Sequence, residues 1–372
     1  MKQINIAKPV IGYQEQRAVL EVLKSGQLVQ GPRVAEFEER FADYHGAKHG
    51  VAVNNGTSAL IASMLAHDIG EGDEVIIPAF SFFATASCIL STGATPVFAD
   101  IDPDTFNMTP ESASKLVTPQ TKAIMPVHLF GHPANMEGFQ ALCDHYNLAL
   151  LEDAAQAHGA GINGRFVGTW GTASFSFYPT KNITTTEGGM VLTNDDYIAK
   201  KLRLVRNHGM EGLYQHSTLG YNFRMTDMAA AIGLVQLNRL PGWTVQRNAN
   251  ALYLSEHLEH VITPVVKPGY KHVFHQYTIR VPEPFNRDDV VHWLNSQGIG
   301  ARVYYPVPIY RQPVIQQRFP QYRDLTLPET ERAAAQVISL PVHPSLAQDD
   351  LERIVEVVNM IAEIVPAQMP VV

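Results

Sequence analysis

Three stretches of the chain place reactive side chains where an apolar run gives way to polar residues. The first is SFSFYPTKNITTTEGGM, residues 174–190, in which Lys181 lies among Ser176, Thr180, Thr184, Thr185, Thr186, Gly188 and Gly189, with Glu187 the nearest carboxylate in sequence. A lysine folded into such surroundings loses hydration, which favours its neutral, nucleophilic amine. A lysine that keeps its ammonium in water by extending its stem is the ordinary alternative. The second is LLEDAAQAHGA, residues 150–160, where an apolar run ends in Glu152 and Asp153. Period-two alternation sends these carboxylates to opposite faces, so one of them reaches a cleft. That one suits a protonated ring nitrogen, a metal, or the cap of the next helix; the metal reading rests on His158 alone. The third is NNGTSAL, residues 54–60: Gly56 allows close backbone approach, Thr57 and Ser58 carry hydroxyls, and the free N–H groups of a helix start attract phosphate. The same residue types also make an ordinary helix cap.

These stretches need a scaffold that brings strand ends together. HGVAVNN, GDEVIIPAF, ATPVFADID, TKAIMPVHLFG and LALLEDAA read as strands, alternating with helical GTSALIASMLAHDI, FFATASCILSTG and NMEGFQALCDHYN. Such alternation is the pattern of a layered α/β domain around a mostly parallel sheet, which binds ligands at its carboxyl strand ends. Residues 225–260 read as one long helical segment, kinked or broken at Pro241 and Gly242. Beyond it come a strand in HQYTIRVP, a helix in NRDDVVHWLNSQG and a last helix over 348–365. The expected division is a large domain over 1–245 and a smaller C-terminal α+β domain over 246–372.

The 372 residues carry a net charge of -8, with 45% hydrophobic and 17% charged residues and no basic block, which excludes broad nucleic-acid binding. Cys88 and Cys143 have no metal or redox spacing and read as packing residues. Neither a signal-like N-terminus nor a membrane-length apolar run is present, so the expectation is a cytoplasmic protein.

Taken in chain order, an anion cradle, a later carboxylate and a lysine beyond it match pyridoxal phosphate group for group. That cofactor carries a phosphate, a basic pyridine nitrogen and an aldehyde that condenses with a lysine amine to a Schiff base. The chain resembles the DegT-type sugar aminotransferases, a branch of the fold-type I, aspartate aminotransferase-like pyridoxal phosphate enzymes. The likeness runs over essentially the whole length, through LKSGQLVQGPRVAEFEERFADYHGAKHGVAVNNGTSAL, GDEVIIPAFSFFATASCILSTGATPVFADID, EDAAQAHGA, SFSFYPTKNITTTEGGM, LGYNFRMTDMAAAIGLVQL and YYPVPIYRQP.

The resemblance implies a role for each matching residue. Lys181 would form the Schiff base, Asp153 would pair with the ring nitrogen, Gln156 would reach the ring 3-hydroxyl, and Phe82 would stack on the ring. Gly56, Thr57 and Ser176 would hold the phosphate, with Asn222 reaching it from the neighbouring subunit of a homodimer. Gly188 and Gly189 would leave backbone room for the cofactor loop. Arg224 would bind the carboxylate of the amino donor, although a solvated arginine at a helix start reads the same way. Tyr304, Tyr305 and Tyr310 offer rings and hydroxyls to a sugar or base, or simply pack. Some relatives carry histidine in place of the lysine and dehydrate sugars; Lys181 keeps this chain with the transaminases. The implied reaction moves an amino group from glutamate or glutamine to a keto-sugar, most readily one linked to a nucleotide. A keto-cyclitol acceptor is the nearest alternative, and a non-catalytic regulatory homologue is the other. The intact set Lys181, Asp153, Gln156 and Ser176 argues against the latter, and no metal is implied.

Overall fold

EVIIP, ALLED and GMVLT are short runs buried on both faces, the pattern of strands covered by helices on either side. The computed structural model describes residues 2–364 and gathers seven such runs into one sheet. They are β1 (His49–Val53), β2 (Glu74–Pro78), β3 (Thr95–Ala99), β4 (Thr121–Ile124), β5 (Ala149–Asp153), β6 (Thr172–Ser176) and β7 (Gly189–Thr193). Their order across the sheet is β1-β7-β6-β5-β4-β2-β3. β7 runs antiparallel to both neighbours and every other pairing among β2 to β6 is parallel, so the sheet is mixed and mostly parallel. Asp153 and Ser176 are the last residues of the neighbouring parallel strands β5 and β6, Asp153 level with Ser174 and Ser176 two residues beyond it.

The helices between the strands are α3 (Gly56–Ala66), α4 (Ala84–Thr92), α5 (Met136–Tyr146) and α6 (Asp196–Arg206), preceded by α1 (Tyr13–Ser25) and α2 (Pro32–His45). TKAIMPVHLFG keeps only its first four residues as strand. Pro126 lacks a ladder donor, and beyond it a single bridge joins Val127 to Asp153 before a tight turn at Leu129–Gly131.

The long segment forms one helix, α7 (Asp227–His257), and Pro241 lies inside it without ending it. The expected boundary at 245/246 therefore falls within a helix rather than a linker. Leu234, Leu237 and Leu240 pack into the core beneath the sheet, whereas Ala251 and Leu254 join a second core with Tyr277, Ile279, Ile338 and Leu340. That second core lies against the antiparallel pair β8 (Tyr277–Arg280) and β9 (Val337–Leu340). Helices Arg287–Ser296 and Gln348–Asn359 cover it, and a short turn of helix follows at Ile361–Ile364. Residue 365, the end of the expected last helix, lies outside the described residues. Ile4 also belongs to the second core, pairing with Gly298 and Gly300, so the chain's first residues run with the C-terminal unit.

One buried carboxylate ties the start of α7 to α2. Asp227 accepts from the N–H groups of Gly31 (2.9 Å), Arg33 (3.2 Å) and Val34 (3.0 Å), the unpaired donors at the start of α2. Asp227→Ala should lose about 2 kcal/mol of stability, with Asp227→Asn losing less because one amide oxygen still accepts. A denaturation midpoint unchanged in the alanine variant would show that the cap contributes nothing.

Candidate active site

At the start of α3, the Asn55 side chain accepts from Ser58 N–H at 2.8 Å and fills the ordinary cap position. The earlier N–H groups of the helix keep their donors free. A Cβ on Gly56 would lie 2.6 Å from Ser176 Cβ and 3.0 Å from its Oγ, so only glycine lets the helix start meet the end of β6. Gly56, exposed Thr57 and buried Ser176 thus converge on one spot rich in donors.

The two carboxylates of β5 part as alternation requires. Glu152 turns into the protein, where it accepts from the N–H groups of Gly168, Trp170 and Gly171 and lies 3.1 Å from His128 Nε2. Burial works against its charge, but the His128 contact and the backbone donors outweigh it and hold its pKa below the usual range. Asp153 faces the other way: Thr85 Oγ1 donates to Oδ2 at 2.8 Å and Ala155 N–H to Oδ1 at 3.2 Å. Burial dominates here and raises the pKa of Asp153, partly offset by Thr85, Ala155 and the charge of Lys181. Asp153 makes no ion pair among the described residues.

Lys181 follows β6 in a turn closed by its own N–H on Tyr178 O at 2.8 Å. The loop behind it is tied by its threonines: Thr184 Oγ1 donates to Phe177 O, Thr185 Oγ1 to Glu187 O, and Thr186 N–H to Thr184 Oγ1. Gly188 and Gly189 leave room for the loop's own Thr185 and for the backbone at Asn55. A Cβ there would strike Thr185 Oγ1 (2.1 Å) and Asn55 O (2.4 Å), so protein already occupies the room they leave. Loss of hydration lowers the Lys181 pKa to about 8, against the opposing pull of Asp153. The two groups therefore sense each other's charge without pairing directly.

Gln156 bridges two elements. Phe130 N–H donates to its Oε1 at 2.7 Å, and because that backbone group can only donate, Nε2 must be the end that donates to Tyr305 Oη at 3.1 Å. One N–H of Gln156 and the proton of Tyr305 are then left for a ligand. Burial raises the Tyr305 pKa, which keeps that proton in place. Phe82, 58% exposed, lies with its ring 6.1 Å from that of Tyr305.

Tyr310, read from the sequence as a possible sugar contact, is a packing residue. Its ring is fully buried with Ile309 and Ile315, and its hydroxyl donates to Glu331. Phe223 O accepts from Asn54 N–H and Arg224 bridges Val53, which sets residues 222–224 beside the end of β1. The Asn222 side chain is exposed and has no partner among the described residues, whereas Arg224 Nη1 donates to Asn207 Oδ1 at 2.6 Å. No group of three or more metal-ligating side chains occurs among the described residues, and His158 is buried against Phe41, Phe175 and Phe177. A separate groove of about 620 Å³ beside Tyr44, Arg165 and Phe166 holds none of these residues.

Thr85 is the residue that sequence reasoning missed. It lies 68 positions from Asp153 in a stretch that reads only as a helix, and no local pattern links the two.

The arrangement fits pyridoxal phosphate on the chain's own terms: a donor-rich cradle that a Cβ would fill, an unpaired buried carboxylate, and an amine with lowered proton affinity. The model of the DegT/DnrJ/EryC1/StrS aminotransferase family matches residues 9–359. A pleiotropic regulatory protein of Geobacillus stearothermophilus is 45% identical over 347 residues, covering 91% of this chain and 92% of that protein. The UDP-N-acetyl-3-dehydro-alpha-D-glucosamine 3-aminotransferase of Acidithiobacillus ferrooxidans is 40% identical over 343 residues, covering 91% of each. Among solved structures, DesV of S. venezuelae in complex with a ketimine intermediate is 37% identical and superposes with a TM-score of 0.90 over 95% of each chain. The chain belongs to the DegT/DnrJ/EryC1/StrS aminotransferase family, whose members work with pyridoxal phosphate.

Proposed function

We propose that this aminotransferase moves an amino group from glutamate, or glutamine, to a nucleotide-linked keto-sugar and releases an amino-sugar. The observation that carries the reading is the gathering at the sheet's strand ends of Gly56 against Ser176, the buried carboxylate of Asp153 and, in the loop after β6, Lys181, its pKa brought to about 8 by lost hydration. The UDP-sugar substrate in the name of the Acidithiobacillus relative supports a nucleotide-linked acceptor. When bound, the cofactor supplies an electron sink and stores the amino group between the two substrates.

The chain's own residues do the rest. Lys181 Nζ would hold the cofactor at its aldehyde carbon, and its neutral amine would take the proton from the donor's Cα. Asp153 keeps a proton on the ring nitrogen by charge and hydrogen bond. Gln156 uses its spare N–H on the ring 3-oxygen, Phe82 covers the ring face, and Gly56, Thr57 and Ser176 hold the phosphate by N–H and O–H donors. Asn222, exposed and unpartnered among the described residues, completes the phosphate site of a neighbouring subunit, so the working unit is a homodimer. Arg224 binds the donor's carboxylate and Tyr305 donates to an acceptor oxygen. Among the described residues no helix is long and apolar enough to cross a membrane, which agrees with a cytoplasmic enzyme.

Purified protein should be yellow, bleach on addition of glutamate, and recover its colour when the right nucleotide-linked keto-sugar is supplied. Lys181→Ala should lose both the visible band and turnover; a variant that keeps both would sink the role given to Lys181. A titrating amine also makes a pH prediction. Capture of pyridoxal phosphate by the apoprotein should accelerate as pH rises through about 8, where Lys181 becomes neutral, instead of near 10.5. Asp153 raises that pKa, so Asp153→Asn should move the rise to lower pH. Tyr305→Phe should slow the keto-sugar half-reaction about 10- to 100-fold and leave the glutamate half-reaction nearly unchanged. Equal losses in both half-reactions would remove Tyr305 from the acceptor side.

A further inference from the structure

The first turn of α4 brings Thr85, fully buried, against the carboxylate of Asp153, with Oγ1 2.8 Å from Oδ2. Ser81 Oγ, also buried, lies 2.8 Å from the same Thr85 oxygen. A hydroxyl carries one proton, and an ionised carboxylate can only accept. Thr85 must therefore give its proton to Asp153, and Ser81 must give its own to Thr85. With Asp153 ionised, this count gives the relay its direction, Ser81 to Thr85 to Asp153.

No other side chain hydrogen-bonds this carboxylate among the described residues; the remaining donor is Ala155 N–H at 3.2 Å. Lys181 and His128 favour the charge of Asp153 from a distance, and the buried Cys88 thiol and Tyr305 hydroxyl feel it. None of these four forms an ion pair with it. Two donors occupy two of the roughly four acceptor sites of a carboxylate and leave the others for a ligand.

We propose that Thr85, oriented by Ser81, is the positioning residue that holds Asp153 as a carboxylate and so decides where the proton shared with the cofactor's ring nitrogen resides. This rests on the reading of Asp153 as the partner of that nitrogen. A proton between a carboxylate and a pyridine nitrogen has two resting places. A donor to the carboxylate favours the charged arrangement, with the proton on nitrogen; removal of the donor favours the neutral one. Asp153 is buried, where a hydrogen bond to the charged form counts for more than in water. The relay thus acts through Asp153 and touches no reacting atom itself.

Three variants test the relay. Thr85→Val keeps the shape and removes the hydroxyl, Thr85→Ser keeps the donor, and Ser81→Ala removes only the orienting group. In the apoprotein, the Asp153 carboxyl can be followed by carbon-13 NMR, with Asp153→Asn identifying its resonance. Its pKa should rise by about one unit or more in Thr85→Val, by less in Ser81→Ala, and return to the wild-type value in Thr85→Ser. In protein loaded with ring-nitrogen-15 pyridoxal phosphate, Thr85→Val should move the nitrogen resonance from the pyridinium position toward neutral pyridine. An unchanged Asp153 pKa in Thr85→Val, or Thr85→Ser behaving like Thr85→Val, would overturn the relay. If Thr85→Val does not fold, Ser81→Ala must still raise the Asp153 pKa, and no rise there overturns it equally. Failure of the wild-type ring nitrogen to show a pyridinium resonance would instead refute the pairing of Asp153 with the cofactor, and the apoprotein titration keeps the two outcomes apart.

Discussion

A buried carboxylate and a half-buried amine lie near enough to change each other's proton affinity, yet they are not joined as an ion pair. Burial drives both toward neutrality, raising Asp153 and lowering Lys181, while each charge favours the other. A direct ion pair would hold the amine as ammonium and deny it to an aldehyde. Separation leaves the lysine close to the working range and the carboxylate free for a cation of its own. Such an arrangement is costly in isolation, so rigid neighbours must hold it.

The sheet supplies that rigidity. Asp153 and Ser176 end adjacent parallel strands, and Gly56 opens a helix that touches Ser176 through the gap a missing Cβ leaves. Glu152, next in sequence to Asp153, faces the opposite way and fastens the loop at 168–171 through three backbone N–H groups. The loop that carries Lys181 is fastened by threonine hydroxyls, and Asn182 ties it to Val273 on the far side. α7 then serves two cores at once, which couples the sheet to the C-terminal unit through one continuous helix.

Much of this was legible in the residues. The alternation of short apolar runs with helical patterns anticipates the mostly parallel sheet, and the stretches at Gly56, Asp153 and Lys181 each lie at a strand end as their polarity suggests. The errors have physical causes. Pro126 ended a strand that hydrophobicity alone extended, and Tyr310 looked available because a tyrosine's sequence neighbours say little about its burial. Pro241 is absorbed within α7, where packing on both sides outweighs the lost hydrogen bond, and the division read at 245/246 falls where that helix passes from the core beneath the sheet to the second core.

The sequence by itself determined which groups are present and their order along the chain: a glycine at a donor-rich helix start, a carboxylate, a lysine, and the family to which that order belongs. These are local or ordered features, and local residue types carry them. Tertiary structure alone decided what Glu152 fastens on the opposite face, that Thr85 and Ser81 stand behind Asp153, and that Gln156 leaves the proton of Tyr305 free. Each of those depends on contacts between distant segments, where hydrogen-bond direction and burial are settled only when the strands have paired.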